Sequence, residues 1–135
     1  MEESEKSNLF VTFQQVIYSI IEEKRKNPKG LKLVNKFKGK INIGLQIEED
    51  LFFWVNLKAE NGNVTLNRGK LDDYDLELLA APEDLLFFAN GENSTLHMIS
   101  KKNRFGLKKL KFSKGSTGKR NLGMLMTLSK LLVLD

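Results

Sequence analysis

The sequence predicts an α+β domain: a mostly antiparallel five-stranded sheet covered by helices. Three observations carry this. Apolar residues alternate with polar ones at period two through 41–47 and again from Leu51, Phe53, Val55 and Leu57. The second of these runs ends in Asn61-Gly62, the dipeptide that best suits a tight hairpin. The N-terminal stretch instead carries apolar residues at helical spacing, and the last segment reads as a helix by length and composition. The element order is helix, four strands, two short helices, strand, helix, which segregates strands from helices as α+β domains do.

The first helix is predicted from Asn8, a plausible cap, with Leu9, Phe13, Val16, Ile17, Ile20 and Ile21 on its apolar face. Residues 1–7 are expected to be a polar tail. Pro28 and Gly30 stop this helix near Asn27. Leu31, Leu33, Val34 and Phe37 suggest a short apolar turn or helix. Ile41 to Ile47 is the first strand, Glu48 to Asp50 a turn, and Leu51 to Leu57 the second strand. Phe52 and Trp54 fall on that strand's other face, so something is expected to cover it there. Val64 and Leu66 mark a third strand, and Leu76 and Leu78 a fourth. Pro82 opens a short helix at the position where its missing N–H costs nothing. A second short helix is expected from Ser94 to about Lys102, with Leu96 and Ile99 inward. Leu107 to Phe112 reads as a lysine-bearing fifth strand. Leu122 to Leu134 reads as a closing helix, apolar nearly all round.

A chain of 135 residues fits a single domain, 1–135. Its 41% hydrophobic and 29% charged residues are those of a globular protein. There is no cysteine, which excludes disulfides, thiolate metal sites and a thiol nucleophile. No apolar run reaches the roughly 18 residues of a membrane span, and the expectation is a soluble cytoplasmic protein. The net charge of +5 is unevenly placed. Residues 61–100 sum to −5 and residues 101–135 to +9, so the last quarter is suited to an anionic surface or to a solvated strand edge.

Catalytic chemistry finds little support. His97 is the lone histidine and has no evident partner for general base or metal work. Asp72, Asp73, Asp75 and Glu77 lack the ordered spacing of a calcium loop and read as a solvated turn and strand face. Gly115 to Arg120 looks like a phosphate loop, but two residues separate its glycines instead of four, and Arg follows the lysine. No metal and no cofactor is expected. Nucleic-acid binding would rest on the basic quarter alone, without interleaved aromatics beyond Phe105 and Phe112. The surplus is apolar. A helix apolar all round must finish a core, seal a dimer seam or cover a cavity.

Several segments in order resemble the sterol carrier protein type 2 family. Lys38-Gly39-Lys40-Ile41 matches the family's strand opening, and Asn61-Gly62-Asn63-Val64 its glycine hairpin. Arg68-Gly69 and Asp75-Leu76-Glu77-Leu78 match the next turn and strand. Pro82-Glu83-Asp84-Leu85-Leu86, through Gly91, matches the acidic-start short helix. Leu110-Lys111-Phe112-Ser113-Lys114-Gly115 resembles the basic strand, and Leu122-Gly123-Met124-Leu125-Met126 to Leu132 the closing helix. The segment from Thr95 to Phe105 is longer than the family pattern, and Ser116 to Arg120 looks inserted.

The resemblance implies a sheet and helices around an apolar tunnel that holds an acyl chain, sterol or isoprenoid without catalysis. Its lining is expected from Phe53, Val55, Leu85, Phe88, Leu96, Ile99, Leu125, Met126, Leu128 and Leu132. Lys114, Lys119 and Arg120 are expected to steer toward an anionic headgroup or membrane surface. The expected partners are a lipid and an anionic membrane, with the chain a monomer or weak homodimer. The alternative is an interaction or dimerisation domain with a filled core, whose seam is the C-terminal helix.

Overall fold

A computed structural model describes residues 2–89, 94–116 and 122–132. Helix α1 (Glu3–Arg25) and helix α2 (Pro28–Lys36) precede three strands, β1 (Gly39–Glu48), β2 (Leu51–Glu60) and β3 (Asn63–Arg68). Then come β4 (Leu76–Ala80), α3 (Pro82–Ala89), α4 (Thr95–Ser100), β5 (Lys111–Lys114) and α5 (Leu122–Leu132). The five strands form one sheet in the order β3-β2-β1-β4-β5. The β1–β2, β2–β3 and β4–β5 pairs are antiparallel, as expected, while β1 and β4 run parallel.

Local chemistry explains most boundaries. Helix α1 begins at Glu3, five residues before the predicted Asn8 cap. Glu3 and Glu5 lie in the first turn, where the helix dipole favours negative charge. Glu3 is also held from outside the helix by Arg68, 2.7 Å away on β3. Asn27 caps α2 by accepting from the Gly30 N–H at 2.7 Å, with Pro28 at the first helical position. Asn61 and Gly62 have φ of +53° and +82°, the left-handed pair that a two-residue hairpin turn requires. Ser94 caps α4 through the His97 N–H at 3.1 Å. The fifth strand is displaced from its predicted place: Leu78 faces Phe112 and Leu76 faces Lys114, while Leu107 to Leu110 stay in a loop.

The sheet has two different faces. Ile41, Ile43, Leu45, Val55, Leu57, Leu66, Leu76 and Leu78 point to the helical side and are buried there with Phe13, Ile17 and Ile21 of α1. Helix α1 also closes the β3 edge. Gln14 donates to the Leu66 carbonyl at 2.9 Å, and the Leu66 N–H donates to the Tyr18 hydroxyl at 2.9 Å. Paired in this way, those groups do not invite another strand.

The opposite face carries buried polar side chains: Asn42 is 0% exposed, Gln46 2% and Asn56 4%. Asn42 and Asn56 are register partners on β1 and β2. They exist to hold a crossing segment. After β3 the chain must pass over β2 and β1 to reach β4, and its backbone needs partners on the way. Asn56 donates to the Gly69 carbonyl at 3.0 Å. Asn42 donates to the Leu71 carbonyl at 2.9 Å and accepts from the Leu71 N–H at 2.8 Å. Trp54 lies over Gly44 on the same face, with the Lys70 ammonium 4.3 Å from its ring centre. Of the cover expected over Phe52 and Trp54, Lys70 supplies the part over Trp54, while Phe52 borders an open cleft.

Among the described residues no helix is long and apolar enough to cross a membrane. Replacing Asn42 with Ala leaves both Leu71 backbone groups unpaired against the sheet. The expected loss of stability is about 1–3 kcal/mol, read as a lower urea midpoint with an unchanged slope.

Candidate functional site

The site is built where the helical layer meets the centre of the sheet. Ile43 on β1 and Leu78 on β4 are register partners and form its floor. Phe13, Val16 and Ile17 of α1 form one wall, and Leu85 and Phe88 of α3 another. Leu110, just before β5, and Leu125, Leu128 and Leu132 of α5 complete the enclosure. The lone polar side chain is Ser129, whose hydroxyl donates to the Leu125 carbonyl at 2.8 Å within its own helix. Among the described residues the site therefore offers methyls, methylenes and aromatic edges, with no charge and no free donor. That composition suits a hydrocarbon and has nothing to orient a polar reaction.

The free space is small, about 30 Å³. Pockets that enclose a drug-sized ligand run to about 300–1,000 Å³. The structure shows this narrow cavity and not the tunnel expected from the sequence.

Of the residues expected to line it, Leu85, Phe88, Leu125, Leu128 and Leu132 are brought together. Val55 is buried on β2 in the same core, away from the cavity. Phe53 is also buried, and it borders a separate open cleft of about 360 Å³, with Lys6, Leu51, Phe52 and Arg68. Ile99 packs against the core from α4 without lining the cavity. Met126 is 46% exposed on α5. The Leu96 side chain, Lys119 and Arg120 lie outside the described residues, and Lys114 is exposed at the end of β5. The contributions of Phe13, Val16, Ile17, Ile43 and Leu78 were not anticipated. Their helical and period-two spacing marks them as core, and a core residue and a cavity residue have the same pattern in sequence.

The polar candidates are engaged elsewhere. Lys40 forms an ion pair with Asp73 at 3.2 Å, and its backbone N–H donates to Asp75 at 2.8 Å. Lys70 pairs with Glu77 at 3.1 Å. His97 Nε2 lies 3.3 Å from Lys109 Nζ. Among the described residues no three His, Asp or Glu side chains come together as a metal set.

The fold as a whole has counterparts among solved structures. The sterol carrier protein domain 2 of Helicoverpa armigera matches with a TM-score of 0.62 at 14% identity, over 87% of this chain and 83% of that one. The chain has the sterol carrier protein 2 fold. A UbiJ-SCP2 ubiquinone synthesis protein matches with a TM-score of 0.63 at 10% identity, over 98% of this chain and 93% of the other. Sterol carrier protein 2 from Yarrowia lipolytica, in its apo form, matches with a TM-score of 0.55 at 16% identity, over 89% of each chain. No protein-family profile matches the sequence, and no curated protein is significantly similar to it. The likeness to the sterol carrier fold lies in the structure.

One ionisable group sits against the cavity wall of this sterol-carrier fold. Asp84, beside Leu85 on α3, is buried. Burial raises its carboxyl above the usual value, opposed by Lys109, whose ammonium is 4.0 Å away. An acid raised in this way weakens the fold while ionised, fully above its folded value, and the cost vanishes as pH falls below its unfolded value. Asp84→Asn is therefore expected to raise the urea midpoint at neutral pH. The gain should shrink as pH falls through the carboxylate range, which paired denaturation curves at the two ends of that range would show.

Proposed function

We propose that this chain is a non-enzymatic carrier that binds an apolar lipid between α1, α3, α5 and the sheet. The observation that carries this reading is the cavity's wall: twelve residues from three helices, two strands and the loop before β5, of which one is polar and that one is satisfied within its own helix. The fold shared with sterol carrier protein 2 domains supports it. Acyl chains, sterols and isoprenoids all suit such a wall, and the likeness to a ubiquinone synthesis protein keeps isoprenoids among them. Binding then enlarges the cavity by displacing helix rather than by filling an open tunnel. The cation at Lys114, with Lys119 and Arg120, is proposed to favour anionic surfaces during transfer in the cytoplasm.

A second reading has its own observation. A cavity of about 30 Å³ is also what a filled core leaves, and in that case α5 with its exposed Met126 is a contact surface for a partner or a second copy.

Native mass spectrometry of freshly purified protein separates the two. The carrier reading expects a bound mass of lipid size that is lost on denaturation, and micromolar uptake of a fluorescent acyl probe. Val16 lines the cavity and is half-buried, so Val16→Trp is expected to obstruct it and cut probe affinity at least tenfold while the fold is kept. A ligand-free mass together with no probe uptake would leave the interaction-domain reading in its place.

A further inference from the structure

The loop between α4 and β5 has a built shape. Lys102 and Lys108 pair as an antiparallel bridge. The Asn103 N–H donates to the Leu107 carbonyl at 2.6 Å, and the Gly106 N–H to the Asn103 carbonyl at 3.1 Å. The Asn103 side-chain oxygen accepts from the N–H groups of Phe105 and Leu107, at 2.9 and 3.1 Å. Gly106 turns the chain with a φ of +82°. The Asn103 amide also donates to the buried Gln46 at 2.9 Å, which fastens this hairpin to the sheet.

What the hairpin presents is unusual for a loop. From Lys101 to Ser116 there are seven Lys or Arg residues and no acid. Lys101, Lys102, Arg104 and Lys108 are exposed. Between them Leu107 is 44% exposed, and Phe105 is half-buried beneath the Arg104 guanidinium, 4.5 Å from its ring centre. A rigid tip that holds an apolar side chain in water among cations fits a surface that is anionic outside and apolar just beneath.

We propose that the hairpin of residues 101–108 is a docking element for an anionic phospholipid bilayer. Lys101, Lys102 and Lys108, whose ammonium keeps one bond to the Ser100 carbonyl at 2.9 Å, meet headgroup phosphates, and Leu107 enters the interface. Nucleic acid fits less well: Phe105 is the hairpin's one aromatic side chain, half-buried and with one ring face covered by Arg104, a poor platform for stacking a base. The hairpin runs directly into Leu110, which lines the cavity and donates its N–H to the Met98 carbonyl at 2.9 Å. Docking there sets the α4 side of the cavity against the membrane. The inference goes beyond the carrier reading and does not need it, because a chain with a filled core would dock in the same way.

Each basic residue near an anionic leaflet contributes about fivefold in partitioning, and the contribution fades as salt shortens the screening length. The test is co-sedimentation of the full chain with phosphatidylcholine vesicles, with and without phosphatidylserine. Binding is expected only to the anionic vesicles and is expected to weaken with salt. Lys102→Glu with Lys108→Glu should weaken it by about 25-fold or more. Leu107→Ser, at an exposed position, should weaken it about fivefold with an unchanged melting temperature. Failure of the unaltered protein to bind anionic vesicles overturns the proposal. So does full binding by the double variant, and so does a Leu107→Ser variant that binds vesicles normally while the double variant loses salt-dependent RNA binding. The last result would assign the patch to nucleic acid.

Discussion

The rest of this structure depends on a pair of asparagines. Two hairpins alone would give a three-stranded meander with β1 as a free edge. Placing β4 beside β1, and parallel to it, requires the chain to cross the sheet surface between Arg68 and Leu76. A crossing backbone that leaves water loses its hydrogen bonds unless the sheet supplies them, at about 1–3 kcal/mol for each unpaired group. Asn42 and Asn56, cross-strand neighbours on the face away from the helices, supply three. The price is one buried amide oxygen on Asn56 with no protein partner among the described residues. With β4 in register, Leu78 stands beside Ile43, and the floor of the apolar cavity exists.

On the other face the energetics are set by burial. Helix α5 buries Leu125, Leu128, Leu131 and Leu132. At about 1.5–3 kcal/mol for each such side chain, its docking is worth roughly 6–12 kcal/mol before the cost of ordering it. A long hydrocarbon gains about 0.8 kcal/mol for each methylene it buries. A cargo of a dozen or more methylenes therefore commands about the same free energy as the helix packing it would disturb. For the proposed carrier, a partial outward shift of α5 that shares the apolar surface with a ligand would keep part of the helix's own burial, which full release would lose. The aliphatic residues of α5 make such sharing inexpensive, since leucines repack against a chain as readily as against one another.

Much of the fold was legible because its local chemistry is unambiguous. The alternation in β1 and β2, Asn61-Gly62, Pro28 and Pro82 each admit one structural solution, and the structure adopts it. The misplacements share a cause, which is that distant contacts outweighed local signals. The start of α1 lies at Glu3, which pairs with Arg68, a residue 65 positions away that no local signal near Asn8 indicates. Strand β5 is set by pairing with Leu76 to Leu79, while the lysines and apolar residues of 107–110 look like strand in isolation. The parallel β1–β4 pairing leaves its trace only in Asn42 and Asn56, which in sequence look like ordinary polar positions on an exposed face. The candidate site was half legible. Leucines on the closing helix and on α3 were found through apolar excess, whereas Phe13, Ile17 and Ile43 were indistinguishable from residues of a solid core.

The distribution of charge follows a similar logic. In sequence the chain has an acidic middle, −5 over residues 61–100, and a basic end, +9 over residues 101–135. In space the acidic turn before β4 and the strand itself are met by lysines from earlier in the chain, Lys40 with Asp73 and Lys70 with Glu77. Among the described residues from 101 to 116, only Arg104 and Lys109 reach acids of the fold, Glu83 at 3.0 Å and Asp84 at 4.0 Å. The remaining cations of that segment meet no acid among the described residues, although Lys108 donates to the Ser100 carbonyl at 2.9 Å, and exposed like-charged side chains on one hairpin repel one another. The arrangement becomes favourable once an external anionic surface supplies the counter-charge that the domain itself has spent on its acidic strand.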